Sequence, residues 1–103
     1  MKGVTVLGST GTIGMNTLDV VSRNPEQFQV FALSAHRNVD KMVAQCGEWQ
    51  PAIAVMADRN AAEELRSRLR NVSPDTEVLS GTEGLIACVE DERVDQGMAG
   101  VVG

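Results

Sequence analysis

The sequence predicts an α/β fold built on a doubly wound parallel sheet. Short β-branched runs alternate with longer stretches of helical apolar spacing, the pattern of βαβ units. The strand runs are continuously apolar rather than alternating, as when helices cover both faces of a sheet. The first run also breaks into glycines at 8, 11 and 14, where a strand would hand over to a helix.

Val4 to Leu7 is the first strand by this reading. From Thr12 the spacing becomes helical, with Ile13, Thr17, Leu18 and Val21 on one face, and Asn24-Pro25 ends the helix because a residue before proline is pushed out of the α region. Phe28 to Ala35, "FQVFALSA", is the second strand. Asn38 can cap the next helix, whose face is Val39, Met42, Val43 and Cys46, with Gly47 and Pro51 expected to stop it. Trp49, between those breakers, is expected as a core or sheet-edge anchor. Ile53 to Met56 is a third strand, and Asp58 caps a helix carrying Ala61, Ala62, Leu65 and Leu69 with arginines toward its C-terminal end, where they suit the dipole. Glu77 to Leu79 is a short fourth strand, Thr82 to Val89 a further helix, and Met98 to Val102 a fifth strand. A sheet of this class ordinarily goes on past such a strand, so the chain is expected to be a piece, truncated before the last elements of the fold.

With 103 residues, the chain has the size of one ordinary domain. Its net charge of −5 argues against nucleic-acid or anionic-membrane partners. No run approaches the ~20 apolar residues of a membrane span. Met1-Lys2-Gly3 leads straight into the first strand without a cleavage signal or Arg-rich transit stretch, so the expected address is the cytoplasm. Cys46 and Cys88 lack CxxC spacing and read as reduced core thiols.

The glycines carry the functional expectation. In "LGSTGTIG", Gly8 can take a turn conformation that other residues resist, Gly11 lacks the Cβ that would hold a diphosphate off the backbone, and Gly14 lets the helix lie close to the strand. Amides of the first helical turn, with the positive end of the dipole behind them, suit a phosphate. Ser9, Thr10 and Thr12 add hydroxyl donors. At the end of the second strand, Ser34-Ala35-His36-Arg37-Asn38 has no carboxylate before Asp40; Arg37 can pair with a 2′-phosphate there, so NADPH is favoured over NADH. His36 could stack on the adenine or touch that phosphate, though a lone loop histidine is more often merely exposed. Asp19 reads as solvent-facing or locally paired, and the acidic run Glu90-Asp91-Glu92 as solvated. No metal constellation and no nucleophile–base pair stands out.

"GSTGTIGMNTLDVV", "FQVFALSA", "NVDKMVAQC", "TEVLSG" and the closing "VDQGMAGVVG" together resemble the amino-terminal domain of 1-deoxy-D-xylulose 5-phosphate reductoisomerase, in register over the whole chain. The resemblance implies a Rossmann-like NADPH-binding domain spanning 1–103, part of a homodimeric enzyme of non-mevalonate isoprenoid synthesis. That enzyme converts 1-deoxy-D-xylulose 5-phosphate to 2-C-methyl-D-erythritol 4-phosphate with NADPH and a divalent metal, magnesium or manganese. It implies a phosphate turn at Thr10, Gly11, Thr12 and Ile13 and a 2′-phosphate site at His36, Arg37 and Asn38. The family often has glycine and lysine where His36 and Arg37 stand. Its metal and substrate residues lie beyond Gly103, so the piece alone is expected to be inactive. Two other readings stay open: a non-catalytic nucleotide-sensing module on this fold, and another NADP-dependent oxidoreductase.

Overall fold

The computed structural model describes residues 2–90 and 99–100. Its strands are β1 (Lys2–Val6), β2 (Phe28–Ala35), β3 (Ile53–Met56), β4 (Glu77–Ser80) and β5 (Ala99–Gly100). Between them run α1 (Thr12–Ser22), α2 (Val39–Trp49), α3 (Arg59–Arg68) and α4 (Gly81–Glu90). The strands pair in parallel in the order β4-β3-β2-β1-β5. The chain therefore steps outward from β1 to β4, then returns to the other side of β1. That reversal is the topological switch point of a doubly wound sheet, and the expected Rossmann-like α/β class holds.

A parallel strand pair needs a crossover, and the sheet's two faces divide the helices. Val6, Leu33, Ala54 and Val78 stand in register across four strands and belong to one buried cluster. Leu18 and Val21 of α1, Met42 and Cys46 of α2, and Ala62 and Leu65 of α3 close over that side. The opposite face buries Phe31, Ala32, Ile53 and Val55. There α4 comes so close that a Cβ on Gly84 would lie 2.8 Å from the Leu79 Cβ.

Several boundaries differ from those expected. β1 lies earlier, at Lys2–Val6, because Leu7 has already entered the glycine turn. β2 carries an irregularity: Val4 pairs with Val30, but Thr5 pairs with Ala32, leaving Phe31 as an extra residue. The extra residue puts Phe31 and Ala32 together on the α4 side while Val30, Leu33 and Ala35 face the other helices. α2 runs straight through Gly47 and stops at Gln50, which takes a left-handed φ of 47° and donates its N–H to the Cys46 carbonyl at 2.8 Å. Gln50 holds that conformation because its side-chain amide donates to the carbonyls of Gly47 and Val72 and accepts from the Ser73 hydroxyl. Trp49 packs half-buried on the core from the end of α2. The caps are as expected: Asn38 accepts from the Lys41 amide, and Asp58 from that of Ala61. Asp19 is paired locally with Arg23 at 3.0 Å. Of the expected fifth strand, Ala99 and Gly100 are described, while Met98, Val101 and Val102 lie outside the described residues, as do Asp91 and Glu92.

Candidate functional site at the glycine turn

β1 ends and the chain turns through Leu7 to Gly11 into α1. Gly8 sits at φ 66°, the left-handed region that favours glycine. The Gly11 amide donates to the Gly8 carbonyl at 2.9 Å, and the first helical bond runs from Met15 to the Gly11 carbonyl, also 2.9 Å. Helix geometry leaves the amides of Thr12, Ile13 and Gly14 without intrahelical carbonyls. Side chains cap α2 and α3, but no side chain caps α1, and its first turn holds no carboxylate. The positive end of that helix is left for something else.

Gly14 and Gly11 separate packing from access. A Cβ on Gly14 would lie 2.2 Å from the Gly8 oxygen and 2.7 Å from the Ser9 Cα, so the fold itself demands glycine there. Gly11 has φ −85° and ψ 171°, which any residue adopts. An added Cβ there would meet only the Gly8 oxygen, at 3.4 Å, an ordinary contact. Gly11 is exposed, and neither backbone nor packing requires it. What its missing Cβ preserves is open approach to the uncapped amides.

Ser9 departs from the expectation of a hydroxyl donor. It is fully buried, and its Oγ has no partner among the described residues, so the hydroxyl is enclosed rather than offered outward. Thr12 is exposed and Thr10 half-buried, so those hydroxyls stay at the surface of the turn. Ile13 is placed by its backbone in the first turn of α1.

A cleft of about 310 Å³ opens beside the turn, across the carboxyl ends of β1, β2 and β3. Gly8, Ser34, Ala35, His36, Val55 and Thr82 are among the residues that line it. This is where ligands bind in open α/β sheets, outside the carboxyl ends of the strands. His36, Arg37 and Asn38 follow β2 at its rim and are all exposed. Arg37, like Arg59 and Arg70, makes no ion pair among the described residues, whereas Arg23, Arg66 and Arg68 do. Asn38 already has the structural task of capping α2, and the His36 carbonyl accepts from Asp58 N–H at 3.1 Å.

Two residues that sequence reasoning missed hold the turn. Ser34 Oγ accepts from the Gly8 amide at 3.1 Å, and Gln45 Nε2 donates to the Ser9 carbonyl at 2.7 Å. A hydroxyl near the end of the apolar strand "FQVFALSA" was the available signal for Ser34. Cys46 is buried and its thiol is pushed up to about 12 by desolvation. Such a thiol is no nucleophile; the side chain of Cys88 lies outside the described set. Among the described residues no three His, Cys, Asp or Glu side chains come together to hold a metal ion, and no helix is long and apolar enough to cross a membrane.

Comparison with known proteins gives this geometry a context. The family model for 1-deoxy-D-xylulose 5-phosphate reductoisomerase matches residues 4–103. The reductoisomerase of Laribacter hongkongensis is 48% identical over 103 residues, and that of Nitrosococcus oceani 50% identical over 103. In both cases the match takes in 100% of this chain but 26% of the relative, so the chain spans about a quarter of the proteins it matches. A crystal structure of DOX-P reductoisomerase in complex with NADPH, fosmidomycin and magnesium superposes with a TM-score of 0.87 at 33% identity, covering 92% of this chain and 23% of that one. The Zymomonas mobilis enzyme in complex with NADPH gives a TM-score of 0.76 at 36% identity over 84% of this chain and 22% of its own. An uncapped, glycine-cleared helix start at the head of a parallel sheet is thus found within a matched sequence, and the chain belongs to the 1-deoxy-D-xylulose 5-phosphate reductoisomerase family.

Proposed function

We propose that residues 1–103 form the NADPH-binding part of a 1-deoxy-D-xylulose 5-phosphate reductoisomerase. The observation that carries the reading is Gly11: an exposed glycine that neither backbone nor packing requires, at the start of a helix with free amides. In this reading the turn from Gly8 to Ile13 cradles the diphosphate. The amides of Thr12, Ile13 and Gly14 donate to it, and the hydroxyls of Thr10 and Thr12 add uncharged donors. Ser9 contributes through its place in the turn, its side chain being enclosed. Arg37 pairs with the 2′-phosphate, flanked by His36 and Asn38, and the cleft beside Ala35 and Val55 receives the adenosine.

Bound NADPH supplies a hydride in the conversion of 1-deoxy-D-xylulose 5-phosphate to 2-C-methyl-D-erythritol 4-phosphate. This chain's share is to hold the reductant in place. Positioning of this kind removes about 7–11 kcal/mol of barrier in the best intramolecular cases. The divalent metal and the sugar phosphate belong, on this reading, to parts of a homodimeric enzyme beyond residue 103. The chain alone is then catalytically silent and binds the cofactor weakly, since the nicotinamide half lacks its walls. The family match favours this reading over a nucleotide-sensing module.

Calorimetric titration with NADPH and NADH tests the reading. The chain should prefer NADPH, and Arg37→Glu should abolish that preference by setting a carboxylate against the 2′-phosphate. Equal affinities in the unsubstituted chain would overturn the assignment of Arg37.

A further inference from the structure

The parallel ladder between β1 and β2 ends at the pair Val6–Leu33. Beyond it the glycine turn lies outside the ladder, with Gly8 at φ 66°. The Gly8 amide and both main-chain groups of Ser9 are taken up by residues far away in sequence. Ser34 accepts twice: its Oγ from the Gly8 amide at 3.1 Å, and its carbonyl from the Ser9 amide at 2.7 Å. Gln45, on α2, donates through Nε2 to the Ser9 carbonyl at 2.7 Å. Both main-chain polar groups of Ser9 are thus committed, one to β2 and one to α2.

We propose that Ser34 and Gln45 are positioning residues for diphosphate binding, fixing the Gly8–Ser9 backbone so that the α1 amides converge on one anion. The proposal rests on the reading of the turn as a diphosphate cradle. Ser34 is part of the cleft wall, with its Oγ engaged by the Gly8 amide, whereas Gln45 does not line the cleft. Ser34 stands 7% exposed in the sheet, and Gln45 holds the turn from behind. The bond from Gln45 is short, and its Oε1 is buried without a partner among the described residues. An unpaired buried acceptor is unfavourable, and the bond to the Ser9 carbonyl is what this side-chain amide gains among the described residues.

Gln45→Glu keeps the shape of the side chain but replaces the donor with an acceptor facing the Ser9 carbonyl. Ser34→Ala removes the acceptor for the Gly8 amide, and Ser34→Thr restores it. Each variant is titrated with NADPH and with adenosine 2′-monophosphate, which carries the 2′-phosphate without the diphosphate. Ser34→Ala and Gln45→Glu should each weaken NADPH about fivefold to tenfold, the effect of one hydrogen bond of ordinary net strength. Adenosine 2′-monophosphate should stay within about twofold of the unsubstituted chain, and Ser34→Thr should recover most of the NADPH affinity. Should Gln45→Glu fail to fold, the Ser34 pair carries the test alone. Loss of both ligands to the same degree, or of neither, overturns the proposal while leaving the cradle standing. Failure of the unsubstituted chain to bind NADPH overturns the cradle itself, and the proposal with it.

Discussion

Gly11 and Gly14 stand on the same short segment and carry opposite duties. Gly14→Ala drives a methyl against the Gly8 oxygen and the Ser9 Cα, both backbone atoms that cannot swing aside. Overpacking of that kind is expected to cost at least about 1–3 kcal/mol, read as a fall in thermal midpoint. Gly11→Ala meets no such obstacle, and its backbone angles suit alanine. The gain of about 0.4–1 kcal/mol from lost unfolded-state freedom is set against alanine's poor standing at an N-cap, so stability should change by no more than about 1 kcal/mol. Its NADPH affinity should nevertheless drop about tenfold, or ~1.4 kcal/mol, if the diphosphate approaches there as proposed. A thermal melt beside a binding titration separates the two glycines. Cys46 gives a prediction of another kind. Burial raises its folded-state pKa from 9.0 to about 12, so the neutral thiol is favoured in the folded chain. Its contribution to stability is complete below pH 9 and is lost as pH rises from 9 towards 12, where the unfolded chain has already released the proton. Over that window stability should fall less steeply in Cys46→Ala than in the unsubstituted chain, as measured by urea unfolding at successive pH values.

At the level of elements, α1 differs from its neighbours in how it begins. Asp58 closes the start of α3 by accepting from the Ala61 amide at 2.9 Å, and Asp58→Ala should cost about 0.5–2 kcal/mol in chemical denaturation. α1 has no such cap to lose. These starts were legible in the sequence, since Asn38 and Asp58 carry capping side chains and Gly11, the N-cap residue of α1, has none to offer. Element ends were less so. Gly47 looked like a helix breaker, but α2 passes through it and ends at Gln50, a residue that seldom takes a left-handed conformation. Three side-chain hydrogen bonds to Gly47, Val72 and Ser73 hold it there, and two of those partners lie more than 20 residues away. The extra residue at Phe31 was equally hidden, because every residue from Val30 to Ala35 is buried and no alternation betrays the break. The ties from Ser34 to Gly8 and from Gln45 to Ser9 span 26 and 36 residues. Local pattern marks the glycine turn; only the folded sheet shows what holds it.

At the scale of the whole molecule, the sheet order β4-β3-β2-β1-β5 brings the separate parts together. Parallel pairing points β1, β2 and β3 the same way, so the glycine turn, the Arg37 rim and the cleft wall at Val55 all meet at one end. That end joins helix amides with no side-chain cap to an exposed arginine without an acidic partner among the described residues. A dinucleotide phosphorylated on its ribose matches both. The central claim is that the amides opening α1 bind the diphosphate, and an amide-resolved NMR titration with NADPH reads those groups directly. The largest shifts should fall at Gly11, Thr12, Ile13 and Gly14, with a second set at His36 to Asn38. Shifts confined to α2, α3 or the far edge of the sheet, with the α1 amides unmoved at saturating NADPH, would contradict the account.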